Sequence, residues 1–165
     1  MIKLAIFDWG NTLMIDIPGY TGPMAFWEKV EKIEGIEEIL IKLKRNNIHI
    51  AVASNAKDSD SYLMKQAFER VELDHYIDSF YTSFELKSRK PDLEFFKKIM
   101  KEHSALPSET IIIGDTLDKD IFPAIQLKTN FILFDWQQKY NYFIKNRVKN
   151  LLEFLLILEK ILEKK

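Results

Sequence analysis

The sequence predicts an α/β fold, a three-layer αβα sandwich around a mainly parallel five-stranded sheet. Three observations point there. Short apolar runs of strand length alternate with segments of helical periodicity, the pattern of a parallel sheet covered on both faces. The chain has 165 residues, of which 47% are hydrophobic and 13% aromatic, enough for one domain with its own core and too apolar for a disordered chain. Polar residues also collect where three of the apolar runs end, the edge at which open α/β sheets bind ligands.

Each element follows from its local pattern. Residues 2–7 form an apolar run closed by Asp8, a buried first strand. Residues 13–35 hold a flap and one short helix, because Trp27, Val30 and Ile33 recur at helical spacing. Ile36, Ile39, Leu40 and Leu43 mark one face of a helix that Asn46 and Asn47 stop. Residues 48–53 read as the second strand, followed by a helix over 59–70 with Asp58 as its cap. Residues 80–82 make a short third strand, and Pro91 suits the first turn of a helix carrying Phe95, Phe96 and Ile99. Residues 110–113 form the fourth strand, ending at Gly114 and Asp115, with a helix over 121–127 behind it. Residues 131–134 are the fifth strand, and 148–164 a long terminal helix against which Trp136, Tyr140, Tyr142 and Phe143 would pack. No repeat or linker interrupts the pattern, so residues 1–165 are expected to be a single domain.

Composition narrows the chemistry. Lys and Arg number 24 against 25 Asp and Glu, a net charge of −1, without the basic excess of a nucleic-acid surface. There is no cysteine, which excludes disulfides, thiolate zinc sites and a cysteine nucleophile. His49, His75 and His103 are too scattered to propose a Ser–His–Asp arrangement. The opening apolar run reaches Asp8 too soon for an export signal, and Leu151–Leu162 is too short and too charged to span a bilayer. A soluble cytoplasmic protein is expected. Carboxylate chemistry is among the options left, and polar residues stand at the strand ends: Asp8 after the first, Ser54 and Asn55 after the second, Gly114 and Asp115 after the fourth.

These segments resemble the haloacid dehalogenase-like hydrolase superfamily. Phe7-Asp8-Trp9-Gly10-Asn11-Thr12-Leu13 is similar to its first motif, with Asp8 in the place of the nucleophile. Ala53-Ser54-Asn55 resembles the second, Arg89-Lys90-Pro91-Asp92 the third with Lys90 as its cation, and the stretch from Ile113 through Asp115 to Asp120 the acidic fourth. The resemblance implies a Rossmann-like sheet and a Mg2+-dependent phosphohydrolase working through an aspartyl-phosphate on Asp8. It implies Mg2+ ligands at Asp8, the Gly10 carbonyl, Asp115 and Asp120. Lys90 would neutralise Asp8 and the phosphate, while Asn11, Thr12, Ser54 and Asn55 would hold phosphate oxygens. The chemistry explains the set: a carboxylate attacking a phosphate dianion meets like-charge repulsion, so cations and oriented donors must surround it.

One position departs from the pattern. The family's phosphatases usually carry a second aspartate two residues after the nucleophile, and here that residue is Gly10. With nothing at Gly10 to protonate a poor leaving group, a preference for good leaving groups is expected. Three readings stay open: the phosphohydrolase, a weakly active phosphate-binding or regulatory relative, and another activity of the family such as dehalogenation. Dehalogenation needs no metal, so the acidic fourth motif speaks against it.

The flap and the gap between residues 80 and 90 are too short for a separate cap domain. A capless site suits a phosphorylated macromolecule, or a small phosphorylated molecule shielded by a neighbouring subunit. Tyr20, Phe26 and Trp27 are candidates for its mouth. The terminal helix carries more apolar residues than one stripe needs, so part of it is expected in a homodimer contact.

Overall fold

The computed structural model describes residues 1–163. Its centre is β1 (Leu4–Phe7), four buried apolar residues that can face helices on both sides. Beside β1 lie β2 (His49–Ser54) and β4 (Thr110–Gly114); β3 (Ser79–Thr82) extends the sheet past β2. On the other side β5 (Asn130–Phe134) and β6 (Arg147–Val148) follow β4, giving the order β3-β2-β1-β4-β5-β6 with every pairing parallel. The described residues therefore form a six-stranded sheet rather than the expected five. β6 has only two residues, too few to leave an apolar run in the sequence, and it is found by pairing Val148 with Phe134.

Period-two alternation divides the strands between two cores. Ala5 and Phe7 of β1, with Ile50, Val52, Ile111 and Ile113, face α1 (Ile36–Arg45), α2 (Ser61–Glu69) and α6 (Leu151–Leu162). Leu4 and Ile6, with Ala51, Ala53 and Ile112, face α4 (Leu93–Glu102) and α5 (Phe122–Leu127). A single turn, α3 (Ser83–Leu86), follows β3. This is the three-layer sandwich.

Several boundaries differ from the sequence reading, each for a local reason. The cap of α2 is Asp60, whose carboxylate accepts from the Leu63 amide at 2.8 Å, not Asp58. Pro91, joined to Lys90 by a cis bond, precedes the Asp92 cap of α4 rather than sitting in its first turn. The flap holds only the short turn Met24–Phe26. Trp27 and Ile33 are buried from irregular backbone, so their helical spacing is coincidental. The terminal helix begins at Leu151, after the Asn150 cap, and Lys164 lies outside the described residues. Tyr142 and Phe143 are exposed and do not pack on it. No helix among the described residues is long and apolar enough to cross a membrane.

Register positions the site. Phe7 lies opposite Val52 on one side and Ile113 on the other. The carboxyl ends of β1, β2 and β4 thus deliver Asp8, Ser54 and Asp115 to one edge of the sheet.

Candidate active site

Behind Asp8 the chain turns tightly. The amides of Leu13 and Met14 both donate to the Trp9 carbonyl, at 3.0 and 3.2 Å, and buried Trp9, Leu13 and Met14 anchor the turn. Asn11 adopts a left-handed φ of 57°, and its carbonyl accepts from Trp136 Nε1 at 2.9 Å. The loop carrying Asp8 is therefore held from the far end of the sheet.

Lys90 is the hub. Its ammonium, 3% exposed, donates to Asp8 Oδ1 and Asp120 Oδ1, both at 2.8 Å. Asn55 fixes the Lys90 backbone by two 2.8 Å bonds, donating from Nδ2 to its carbonyl and accepting its amide at Oδ1. Asp120 is further fixed by the Thr116 hydroxyl at 2.8 Å. Asp115 pairs with Lys139 at 2.7 Å.

Electrostatics follow from this packing. Burial pushes the Asp8 carboxyl above its ordinary range; Lys90 opposes the rise and Asp115 adds to it. Burial raises Asp120 in the same way, with Lys90 opposing and Asp8 adding. Burial works against the Lys90 charge, but Asp120 and Asp8 together hold its pKa above that of an ordinary lysine. Burial likewise opposes the charge of Lys139, and the bond to Asp115 overrides it, so its pKa is raised.

Carboxylate oxygens of Asp8, Asp115 and Asp120 lie within 4.8 Å of one another. An all-oxygen, anionic donor set of this span suits a hard divalent cation. Outside it opens a cleft of about 290 Å³ whose walls include Trp9, Gly10, Trp27, Ser54 and Asn55.

Gly114 makes the arrangement possible. A Cβ on this residue would lie 2.6 Å from Asp120 Cβ and closer still to its carboxylate. Gly114→Ala must therefore push Asp120 off Lys90. Catalytic groups displaced by about 1 Å cost on the order of 10² in rate, and overpacking costs about 1–3 kcal/mol. Steady-state kinetics and urea unfolding of that variant should show both losses. An unchanged rate would mean that the position of Asp120 is not critical.

The sequence pattern of haloacid dehalogenase-like hydrolases matches residues 20–134, a stretch that includes Ser54, Lys90, Asp115 and Asp120. The chain belongs to this family. It is similar, at 27% identity over 111 residues, to a ribulose-1,5-bisphosphate 5-phosphatase of Halopiger xanaduensis, a match covering 67% of this chain and 45% of that protein. It is 34% identical over 90 residues to a glyceraldehyde 3-phosphate phosphatase of Methanocaldococcus jannaschii, covering 53% and 37%. The chain thus spans less than half the length of these curated relatives. An uncharacterized protein from Listeria monocytogenes serotype 4b has the same fold, with a TM-score of 0.78 at 24% identity, covering 96% of this chain and 99% of that one. A HAD phosphatase from Thermococcus onnurineus is similar in fold, with a TM-score of 0.78 at 13% identity, covering 95% and 98%.

This haloacid dehalogenase-like hydrolase brings together Asp8, Lys90, Asp115 and Asp120, with Gly10, Ser54 and Asn55 on the cleft. Asn11 supports the loop through its side chain and carbonyl. Thr12, expected to hold a phosphate oxygen, is instead fully buried, and its hydroxyl meets no partner among the described residues. Lys87 and Arg89 line a neighbouring groove with Lys57. Sequence reading missed Lys139, Thr116, Trp136 and Tyr140 as parts of the site's support. Tyr140 accepts the Leu117 amide at 3.0 Å, and so steadies the turn between Asp115 and Asp120. Trp136 and Tyr140 are aromatic residues in a sequence rich in them, and nothing local distinguishes the two that brace these loops.

Proposed function

We propose that this hydrolase is a Mg2+-dependent phosphatase in which Asp8 is the nucleophile. The observation that supports it best is a half-buried carboxylate, 15% exposed, with an ammonium group on one side and a convergent acidic set on the other. Asp8 attacks phosphorus in line and forms an aspartyl-phosphate, which water then hydrolyses. Lys90 favours the ionised form of Asp8 against its burial, holds it in place, and offsets the charge that gathers on the phosphoryl oxygens. Ser54 and Asn55, on the cleft, orient those oxygens, whereas the Asn11 and Thr12 amides donate within the loop to the Met14 and Trp9 carbonyls. Asp8, the Gly10 carbonyl, Asp115 and Asp120 would hold Mg2+, which supplies positive charge to phosphate and nucleophile. Lys139 would have to yield part of its hold on Asp115 when the cation binds.

The substrates are phosphorylated small molecules on this reading, in keeping with the sugar-phosphate names of the relatives and the modest cleft. The test is hydrolysis of p-nitrophenyl phosphate, which should require added Mg2+ and stop with EDTA. The homodimer contact belongs to the same proposal: Leu152 and Leu156 of α6 are 69% and 51% exposed and one turn apart, while Phe154 and Leu158 are buried. Light scattering at micromolar concentration should show a dimer that Leu156→Glu dissociates; a monomer overturns the contact.

A further inference from the structure

Three of the carboxylates around Asp8 are already committed to cations: Asp8 and Asp120 to Lys90, and Asp115 to Lys139. Two others line the outer cleft, Asp16 and Asp58, and neither forms an ion pair among the described residues. They differ in position. Asp58 lies in the segment that follows β2. Asp16 folds back over Gly10, two residues from the nucleophile. A Cβ built on Gly10 would lie 3.5 Å from Asp16 Cβ and 4.0 Å from Asp16 Oδ2. The Asp16 amide donates to Asn11 Oδ1 at 3.1 Å, so the loop that carries Asp8 also sets where Asp16 stands. Its carboxylate therefore lies beside the position that a side chain on residue 10 would take, on the cleft shared with Ser54 and Asn55.

We propose that Asp16 is the proton donor for the leaving group in the reaction assigned to Asp8, on which this inference rests. A phosphate monoester of an alcohol leaves as an alkoxide unless a proton reaches its oxygen as the bond breaks. Lys90 and Lys139 are held on the inner side of the site by their own carboxylates. Asp16 forms no ion pair among the described residues and is exposed on the cleft that opens outside Asp8. In the first step Asp8 Oδ bonds to phosphorus, the bond from phosphorus to the ester oxygen breaks, and its electron pair takes the Asp16 proton to give the alcohol. In the second, the Asp16 carboxylate takes a proton from water as that oxygen bonds to phosphorus. The bond to Asp8 then breaks, its electron pair returning to the Asp8 carboxylate, and inorganic phosphate departs with Asp16 again protonated. Asp16 then takes the part that no side chain at Gly10 can play, and esters with poor leaving groups are substrates after all.

The test compares kcat/KM for glycerol phosphate and p-nitrophenyl phosphate, since kcat/KM reports steps up to departure of the leaving group and p-nitrophenolate leaves without a proton. Asp16→Asn should lower the value for glycerol phosphate by a factor on the order of 10²–10⁴ and leave that for p-nitrophenyl phosphate nearly unchanged. Adding Gly10→Asp to Asp16→Asn should restore much of the lost rate, because Gly10 does not have a positive φ and its Cβ would make only ordinary contact. Asp16 is exposed, so the substitution should not alter thermal unfolding. An equal change for both esters, no change for either, or a selective loss that Gly10→Asp does not recover overturns the role of Asp16. Turnover that survives Asp8→Asn, or a wild-type protein inactive on both esters, instead overturns the phosphatase reading beneath it.

Discussion

Asp8→Asn abolishes Mg2+-dependent turnover of p-nitrophenyl phosphate and leaves the protein folded. The substitution keeps the shape of the side chain and an oxygen for Lys90 to bond. It removes the anionic oxygen that attacks phosphorus and would carry the phosphoryl group. Loss of a covalent nucleophile costs on the order of 10⁴–10⁶ in rate, so activity should fall to the background of the assay. Stability should move the other way. Burial raises the Asp8 carboxyl above its ordinary range, with Asp115 adding to the rise, so its ionised form is disfavoured in the folded protein. A neutral amide removes that cost near pH 7 in EDTA, and urea unfolding should find the variant at least as stable as the wild type. Near wild-type turnover by the variant would take the nucleophile away from Asp8.

Lys90→Met is expected to have the largest effect on stability. Lys90 is 3% exposed and bonded to two carboxylates at 2.8 Å, so its loss leaves Asp8 and Asp120 facing each other without a counter-charge. Removing one partner of a buried ion pair costs about 3–5 kcal/mol. Near pH 7 in EDTA, urea unfolding should show a loss of that size, with turnover abolished. The pH dependence has a definite sign. Both carboxyls lie above their ordinary range because of burial, and Lys90 is the main group that lowers them, so removing it raises them further. A carboxyl raised in the folded state binds more protons there than when unfolded, and stability then falls as pH rises. The deficit of the variant should therefore shrink as pH falls from 7 toward the raised carboxyl values, and grow again as pH rises. A variant as stable as the wild type at pH 7 would show that the two carboxylates do not depend on Lys90.

Much of the fold was legible because it is written locally. Runs such as Leu4–Phe7 and Ile111 to Ile113 must be buried on both faces, and helical faces such as Ile36, Ile39, Leu40 and Leu43 must cover them. β6 escaped because two residues carry no periodicity, and the flap misled because three apolar residues can share a spacing without sharing a helix. In the site, Asp8, Ser54, Lys90, Asp115 and Asp120 could be picked out as candidates because they recur in a known order of motifs. Lys139 and Asp16 could not, since an isolated lysine or aspartate in a loop has no local mark.

By itself, then, the sequence determined which residues end each strand, which faces are apolar, and that cysteine takes no part in the chemistry. Tertiary structure alone decided which charges meet. Lys90 reaches Asp8 across 82 residues of chain and Lys139 reaches Asp115 across 24, contacts that exist only once the parallel register has brought the strand ends level. It also set Asp16 beside Gly10, within 3.5 Å of where a Cβ on that residue would lie. The reason is one of range. Periodicity and turn chemistry act over a few residues, whereas Coulomb attraction and close contact act over a few ångströms, and only folding makes residues far apart in sequence close in space.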